Sequence, residues 1–457
     1  MRKLLVWALA ALAPAAAFAT PGQVDSGDTA LVLVSAGLVL LMTPGLAFFY
    51  GGLVRAKNVV HTMILSIVCM ALVGVLWGLV SYSLAFSPGP GPLNRFVGGF
   101  SFIGLRGVGG EVAKDLAPTV PHAAFMLFQA MFAVITPALI SGALVERVRV
   151  KAFVLFVALW SIVVYAPVAH WVWAPGGWLR QMGALDFAGG TVVHINAAAA
   201  ALVFAIVLGR RRGLKQPTVL PHNVPFAILG AGLLWFGWLG FNGGSALAAN
   251  GLAAYAFSNT FFAPAAAALA WGLAELFFFH GKMSGVGLAS GAVAGLVAVT
   301  PAAGFITPLS SIGLGAAAGL ASLTAVRYRP RLGLDDSLDV FAVHGVAATL
   351  GALLTGVLAS KGVNPDGADG SLHLLGIQAI GVAATFAWSG GLSYGLIKLV
   401  GFVTPLRAEE QDEWSGMDQA ESGERGYITS DLESAAVDHR PPSVEARAPK
   451  LHHAPAK

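Results

Sequence analysis

Polar and apolar positions in this chain segregate into long apolar blocks split by short polar ones. Eleven blocks, near 29–51, 59–85, 119–144, 152–172, 188–209, 222–243, 255–280, 285–301, 305–326, 338–359 and 373–402, predict eleven membrane-spanning helices. A span needs roughly 20 mostly apolar residues, and the blocks meet that length. Ala, Gly, Leu and Val dominate them, and small residues suit helices that pack closely in lipid. The 57 glycines of the chain belong to that pattern.

The polar ends of the chain differ from its middle. Residues 1–19 read as a secretory signal: Arg2 and Lys3, then an apolar run from Leu4 to Leu12, then the A-x-A-like Ala17-Phe18-Ala19. A short extra helix is the alternative, but the run is brief and Thr20, Pro21 and Gly22 follow at once. The membrane domain is assigned to 25–405, a polar tail to 406–430, and a disordered C-terminal extension to 431–457.

Composition narrows the class. Hydrophobic residues make up 56% of the 457, charged residues 11%, and the mean hydropathy is +0.74. Soluble domains carry about 25% charged residues, so there is too little charge to cover soluble domains or to bind nucleic acid. The single Cys69 excludes a disulfide framework and any multi-Cys metal site. Charge placement then sets the topology. With an exported N-terminus, the cytoplasmic loops would hold Arg55, Lys57, Arg147, Arg149, Lys151, Arg210, Arg211, Arg212, Lys215, Lys282, Arg327, Arg329 and Arg331. The exported loops would hold Arg95, Arg106, Lys114, Arg180 and Lys361. That excess of cytoplasmic basic residues predicts eleven spans in a plasma (inner) membrane with the C-terminus inside.

A weak repeat runs through the apolar region. Asp186 precedes His194 by eight residues and Asp336 precedes His344 by eight; Phe49-Tyr50-Gly51-Gly52 closes span one and Phe241-Asn242-Gly243-Gly244 closes span six. Five spans per copy invert the second copy, the arrangement of transporters whose site lies at the midplane.

Of eleven histidines only His194 and His344 lie well inside spans. An ionisable side chain at that depth costs roughly 2.5 kcal/mol or more and normally faces a pathway or a partner. At equivalent repeat positions the two can meet. The alternatives are two core histidines bonded to helix carbonyls, or a metal pair, which lacks a nearby Cys, Glu or third His. A bonded pair of neutral imidazoles keeps one donor and one acceptor, suiting a small substrate able to lose and regain a proton. Trp171, Trp173 and Trp178 form either an ammonium-attracting cluster or an interfacial belt. Phe128 and Phe132 share a helix face, and Trp238, Phe241 and Ser245 lie near the end of span six; ordinary packing would also account for them.

Asp186-Phe-Ala-Gly-Gly-Thr-Val-Val-His194, Phe128-Gln-Ala-Met-Phe132, Ala169-His-Trp-Val-Trp173, Gly237-Trp-Leu-Gly-Phe-Asn-Gly-Gly-Ser245 and Asp339-Val-Phe-Ala-Val-His344 resemble the ammonium transporter, methylammonium permease and Rhesus protein family, in its bacterial branch. The resemblance spans about residues 25–405. It implies an all-α fold: an eleven-helix, five-plus-five inverted-repeat bundle with a final helix, assembled as a homotrimer with a pore in each subunit. It implies ammonium recruitment by Trp173, Phe132 and Ser245 with Asp186 holding the region in shape, a gate of Phe132 and Phe241, and a pore of His194 and His344 with Trp238 beside them. For Asp336 it implies a structural or an inner-vestibule part. The stretch from Arg407 to Asp418, with Glu421, Gly423, Glu424 and Tyr427, is similar to the family's regulatory tail, which implies a PII-type signalling partner. Two departures stand out: Trp173 to Asp186 is one residue longer than the common bacterial spacing and contains Pro175, and the tail's usual Leu-Asp reads Met417-Asp418.

The expectation is therefore transport of ammonium or ammonia, without cofactor or metal. Rival readings are a channel for another neutral molecule such as carbon dioxide and an ammonium sensor. An enzyme is disfavoured because the chain shows no nucleophile–base motif.

Overall fold

A computed structural model describes residues 22–213 and 220–427. The expected signal segment 1–19 and the extension 431–457 lie outside the described residues. Helices dominate. In chain order they are α1 (Ser26–Leu53), α2 (Ala56–Phe86), α3 (His122–Ser141), α4 (Val150–Gln181), α5 (Gly190–Leu208), α6 (Val224–Ala246), α7 (Gly251–Phe279), α8 (Gly285–Val299), α9 (Pro308–Leu332), α10 (Phe341–Leu358) and α11 (Leu372–Val403). Ten are long and apolar enough to cross a membrane; α8, at the eighth expected block, is the shorter apolar helix. Two short helices, α12 (Glu410–Ser415) and α13 (Met417–Ser422), make the tail.

Local sequence explains where these helices start. Asp25, Asn223, Asn250, Ser284, Thr307 and Ser371 cap α1, α6, α7, α8, α9 and α11 by accepting free N–H groups of the first turn. Losing such a cap typically costs a helix about 1 kcal/mol. Boundaries shift where other chemistry intervenes. The block at 119–144 begins its helix only at His122, because Ala117–Pro121 pairs with Val112–Ala113 as a small hairpin. The fourth span runs on past residue 172, breaks at 174–177, where Pro175 lies, and resumes as Trp178–Gln181.

The first helices of the two halves, α1 and α6, cross backbone against backbone. A Cβ at Gly230 would lie 2.2 Å from the Phe49 nitrogen, so no larger residue fits. Inversion is visible in helix direction. The chain before α4 pairs with the tail at Val148 and Arg407, so Trp173 lies at the end of the bundle opposite the tail. There α5 begins. Helix α10 begins at the tail end, where Asp335 is bonded to Arg211 at the end of α5. The two histidine-bearing helices thus enter from opposite ends, as an inverted repeat requires.

Buried charges close the tail end. Glu146 accepts from Arg55 at 2.9 Å, Asn58 at 3.0 Å and Arg211 at 3.1 Å. Arg211 also pairs with Asp335 at 2.9 Å, and Arg407 of the tail joins Glu413 and the Leu208 carbonyl. Asp418 accepts from the His61 N–H at 2.8 Å, at the N-terminus of the main segment of α2. Burial pushes Glu146 and Asp335 upward, but the guanidiniums of Arg211, Arg55 and Arg147 outweigh it and hold both carboxyls below their usual range.

Candidate functional site

Asp186 organises the start of α5. Its carboxylate accepts from the N–H groups of Gly189, Gly190, Thr191 and Val192 at 2.8, 2.6, 2.8 and 3.3 Å, and from the Thr191 hydroxyl. Five donors and the positive end of the helix converge on one carboxylate. Gly189 sits at φ +114°, which a side chain would strain. The first turn that follows is wide, Gly190–Ile195, and carries His194.

The mirrored half repeats this device. Asp336 accepts from Val340 and Phe341 N–H at 3.0 and 2.7 Å, its third neighbour Asp339 has φ +59°, and the wide turn Phe341–Val346 carries His344. Of the two parts expected for Asp336, structural or inner-vestibule, its contacts are those of a helix cap ahead of the second histidine. Asp336 lies 2% exposed and forms no wall of the cavities described below.

The two histidines meet. Their Nδ1 atoms are 3.3 Å apart and the rings lie at 5.3 Å and 23°. One Nδ1 must donate and the other accept. His194 Nε2 is buried and has no partner among the described residues. An aromatic series connects this pair to the end opposite the tail. Phe241 lies 6.0 Å from His194, Phe132 4.4 Å from Phe241, and Trp173 5.6 Å from Phe132. Trp238 stacks on His194 at 5.3 Å, with its indole N–H donating to Thr300 at 2.9 Å.

Two cavities lie along this series. One of about 150 Å³ opens at the end opposite the tail, with Phe132, Trp173, Ser245, Gln129 and Arg180 in its wall. The other, about 10 Å³, is walled by both histidines, Trp238, Phe241 and aliphatic side chains such as Leu46 and Leu139. Such a volume holds about a single water. Phe132 and Phe241 separate the two. Ser245 donates to the Phe241 carbonyl at 2.8 Å, which leaves its lone pairs free to accept.

Not every aromatic expected at the entrance is there. Trp171 and Trp178 pair with one another at 5.7 Å, and Trp171 donates to the Phe96 carbonyl, so both pack rather than face the cavity. Phe128 is fully buried behind Phe132 at 4.9 Å. Asp186 sits under the site as a cap; Trp173 touches it only by donating to its backbone carbonyl at 3.1 Å. Gln129 and Arg180 are wall residues that sequence spacing does not single out. Gln129 lies inside the Phe128–Phe132 motif, and Arg180 is in sequence one loop charge among several.

The comparisons agree with one another. The profile of the Ammonium Transporter Family matches residues 30–427. An ammonium transporter of Bacillus subtilis is 47% identical over 409 residues, covering 88% of this chain and 99% of that protein. One from Aquifex aeolicus is 45% identical over 417 residues, covering 90% and 96%. The crystal structure of Saccharomyces cerevisiae Mep2 superposes with a TM-score of 0.78 at 34% identity, over 85% of this chain and 89% of that one. A protein described as a sensor Amt protein superposes at 0.79 with 29% identity, over 87% and 98%. With the profile spanning most of its length and full-length relatives near half identical, the chain belongs to the ammonium transporter family and is a multi-pass helical membrane protein.

Proposed function

We propose that the chain takes up ammonium by collecting it at the cavity beside Trp173, removing a proton at the Phe132–Phe241 constriction, and passing ammonia along the two histidines. The contact between His194 and His344, one from each half and walled otherwise by apolar side chains, carries this reading. A bare cation entering so narrow an apolar passage loses its hydration at several kcal/mol or more. Ammonia can pass because it has left the proton behind, and the imidazole pair gives that proton a place to be held or handed on. Potassium, similar in size, cannot shed its charge.

In this reading the Trp173 end faces outward, the tail lies in the cytoplasm, and the N-terminus is exported in the plasma membrane. Basic residues at the tail end support that orientation. The functional unit is a homotrimer with a passage in each subunit, and the tail is the docking surface for a PII-type signalling protein. Neither a cofactor nor a catalytic step is part of the reading.

The test measures current and uptake together in reconstituted membranes for the wild type and His194→Ala. The substitution is expected to change the ratio of ammonium to potassium permeation. Wild-type values for both signals would remove the histidine pair from selectivity; absence of any ammonium flux in the wild type would favour a different neutral substrate.

A further inference from the structure

We propose that Arg180 is a specificity-determining residue: a fixed positive charge in the wall of the Trp173 cavity that lowers its occupancy by cations and makes uptake depend on ionic strength. The inference rests on the reading of that cavity as the ammonium entrance. Arg180 lies on the short helical turn Trp178–Gln181, just beyond the break at 174–177. Its guanidinium donates to the Trp173 backbone carbonyl and forms part of the cavity wall. The same tryptophan donates its indole N–H to the Asp186 carbonyl, so its backbone and its ring are each held.

No carboxylate balances this charge. Among the described residues Arg180 has no ion pair. The nearby carboxylate, Asp186, has both oxygens occupied by N–H groups of residues 189–192. The other polar groups of the wall, Gln129 and Ser245, are neutral. A cavity that collects cations through aromatic faces and lone pairs therefore also contains an uncompensated guanidinium. Arg180 is itself solvent-exposed, so its field reaches the cavity partly screened by water. Added salt weakens it, because screening acts over about 8–10 Å at physiological ionic strength. The consequence is a site that fills less readily at low ammonium and favours a substrate that leaves its charge behind.

The experiment uses the full chain in proteoliposomes. Initial ammonium flux is measured against ammonium concentration at low and high ionic strength, set with an impermeant salt. Wild type is compared with Arg180→Gln and Arg180→Lys. Arg180→Gln should lower KM by roughly two- to threefold at low salt, with the effect on KM rather than kcat. It should also flatten the salt dependence, which in the wild type should show faster uptake of dilute ammonium as ionic strength rises. Arg180→Lys keeps the charge and should keep the wild-type KM and salt response. An unchanged KM in Arg180→Gln overturns the proposal. So does a Lys variant that behaves like the Gln variant, which would make the tether to Trp173 the operative feature. Wild-type uptake that slows with salt also sinks it, and needs no variant. Absence of wild-type ammonium flux fails the underlying reading as well; flux that is insensitive to Arg180 fails this proposal alone.

Discussion

Asp186 and His194 are eight residues apart and sit at different places. His194 walls the narrow cavity, and its buried Nε2 has no partner among the described residues. Asp186 never reaches the passage. It gathers the N–H groups of residues 189–192 and so sets the wide turn that aims His194. Asp186→Asn removes the charge and leaves a single carbonyl acceptor for five donors. A buried donor left unpaired costs about 1–3 kcal/mol, and hydrogen bonds to a charged group contribute about 1.5–3 kcal/mol. Ammonium uptake should therefore fall by at least about tenfold, while the folded protein still elutes as a single species. Wild-type uptake in Asp186→Asn would mean that the carboxylate has no part in placing His194.

At the scale of elements, the tail end of the bundle is held by charge rather than by apolar packing alone. Glu146 ties α2, α4 and α5 together through Arg55, Asn58 and Arg211, and it is about 1% exposed. Removing one partner of a buried pair leaves an uncompensated charge and costs about 3–5 kcal/mol. Glu146→Gln should lower the thermal midpoint of the detergent-solubilised protein by several degrees. The pH dependence has a definite sign. Glu146 and Asp335 are held below their ordinary values of 4.5 and 3.8, so their stabilisation is complete above those values. It is lost as pH falls through the lower values of the folded state, and Glu146→Gln should lose less stability over that acid range than the wild type. A variant with the same acid midpoint and the same slope would show that the pair contributes nothing to holding this end closed.

For the whole molecule, two halves must meet closely enough to bring imidazoles from opposite ends together. The crossing of α1 and α6 decides that approach. Gly230 admits no Cβ, because one would sit 2.2 Å from the Phe49 nitrogen, whereas a Cβ at Gly232, two residues on, meets nothing within 4 Å. Gly230→Val should cost about 1–3 kcal/mol or more by forcing the halves apart. It should reduce the yield of monodisperse protein and transport together, with Gly232→Val close to the wild type in both. Equal behaviour of the two variants would show that the crossing tolerates separation.

Much of this architecture was legible before any coordinates. Apolar blocks of bilayer length leave the backbone no option but helix, and the paired Asp–His spacings marked the two halves. Other features were not legible. Nothing in the spacing told that Asp336 caps a turn, since a cap is recognised by the N–H groups it gathers. Trp171 and Trp173 are two residues apart on one helix, and only packing turned the first away and the second toward the cavity. Arg180 looked like one loop charge among several until the break at 174–177 folded its helical turn back over Trp173. The sequence by itself determined that the chain crosses a membrane as two related helical halves with a histidine in each, because hydrophobicity and periodicity are local properties. That the histidines touch, that Phe132 and Phe241 divide one cavity from the next, and that the Arg180 guanidinium has no ion pair among the described residues were decided only by tertiary structure, because each depends on side chains from elements far apart in the chain.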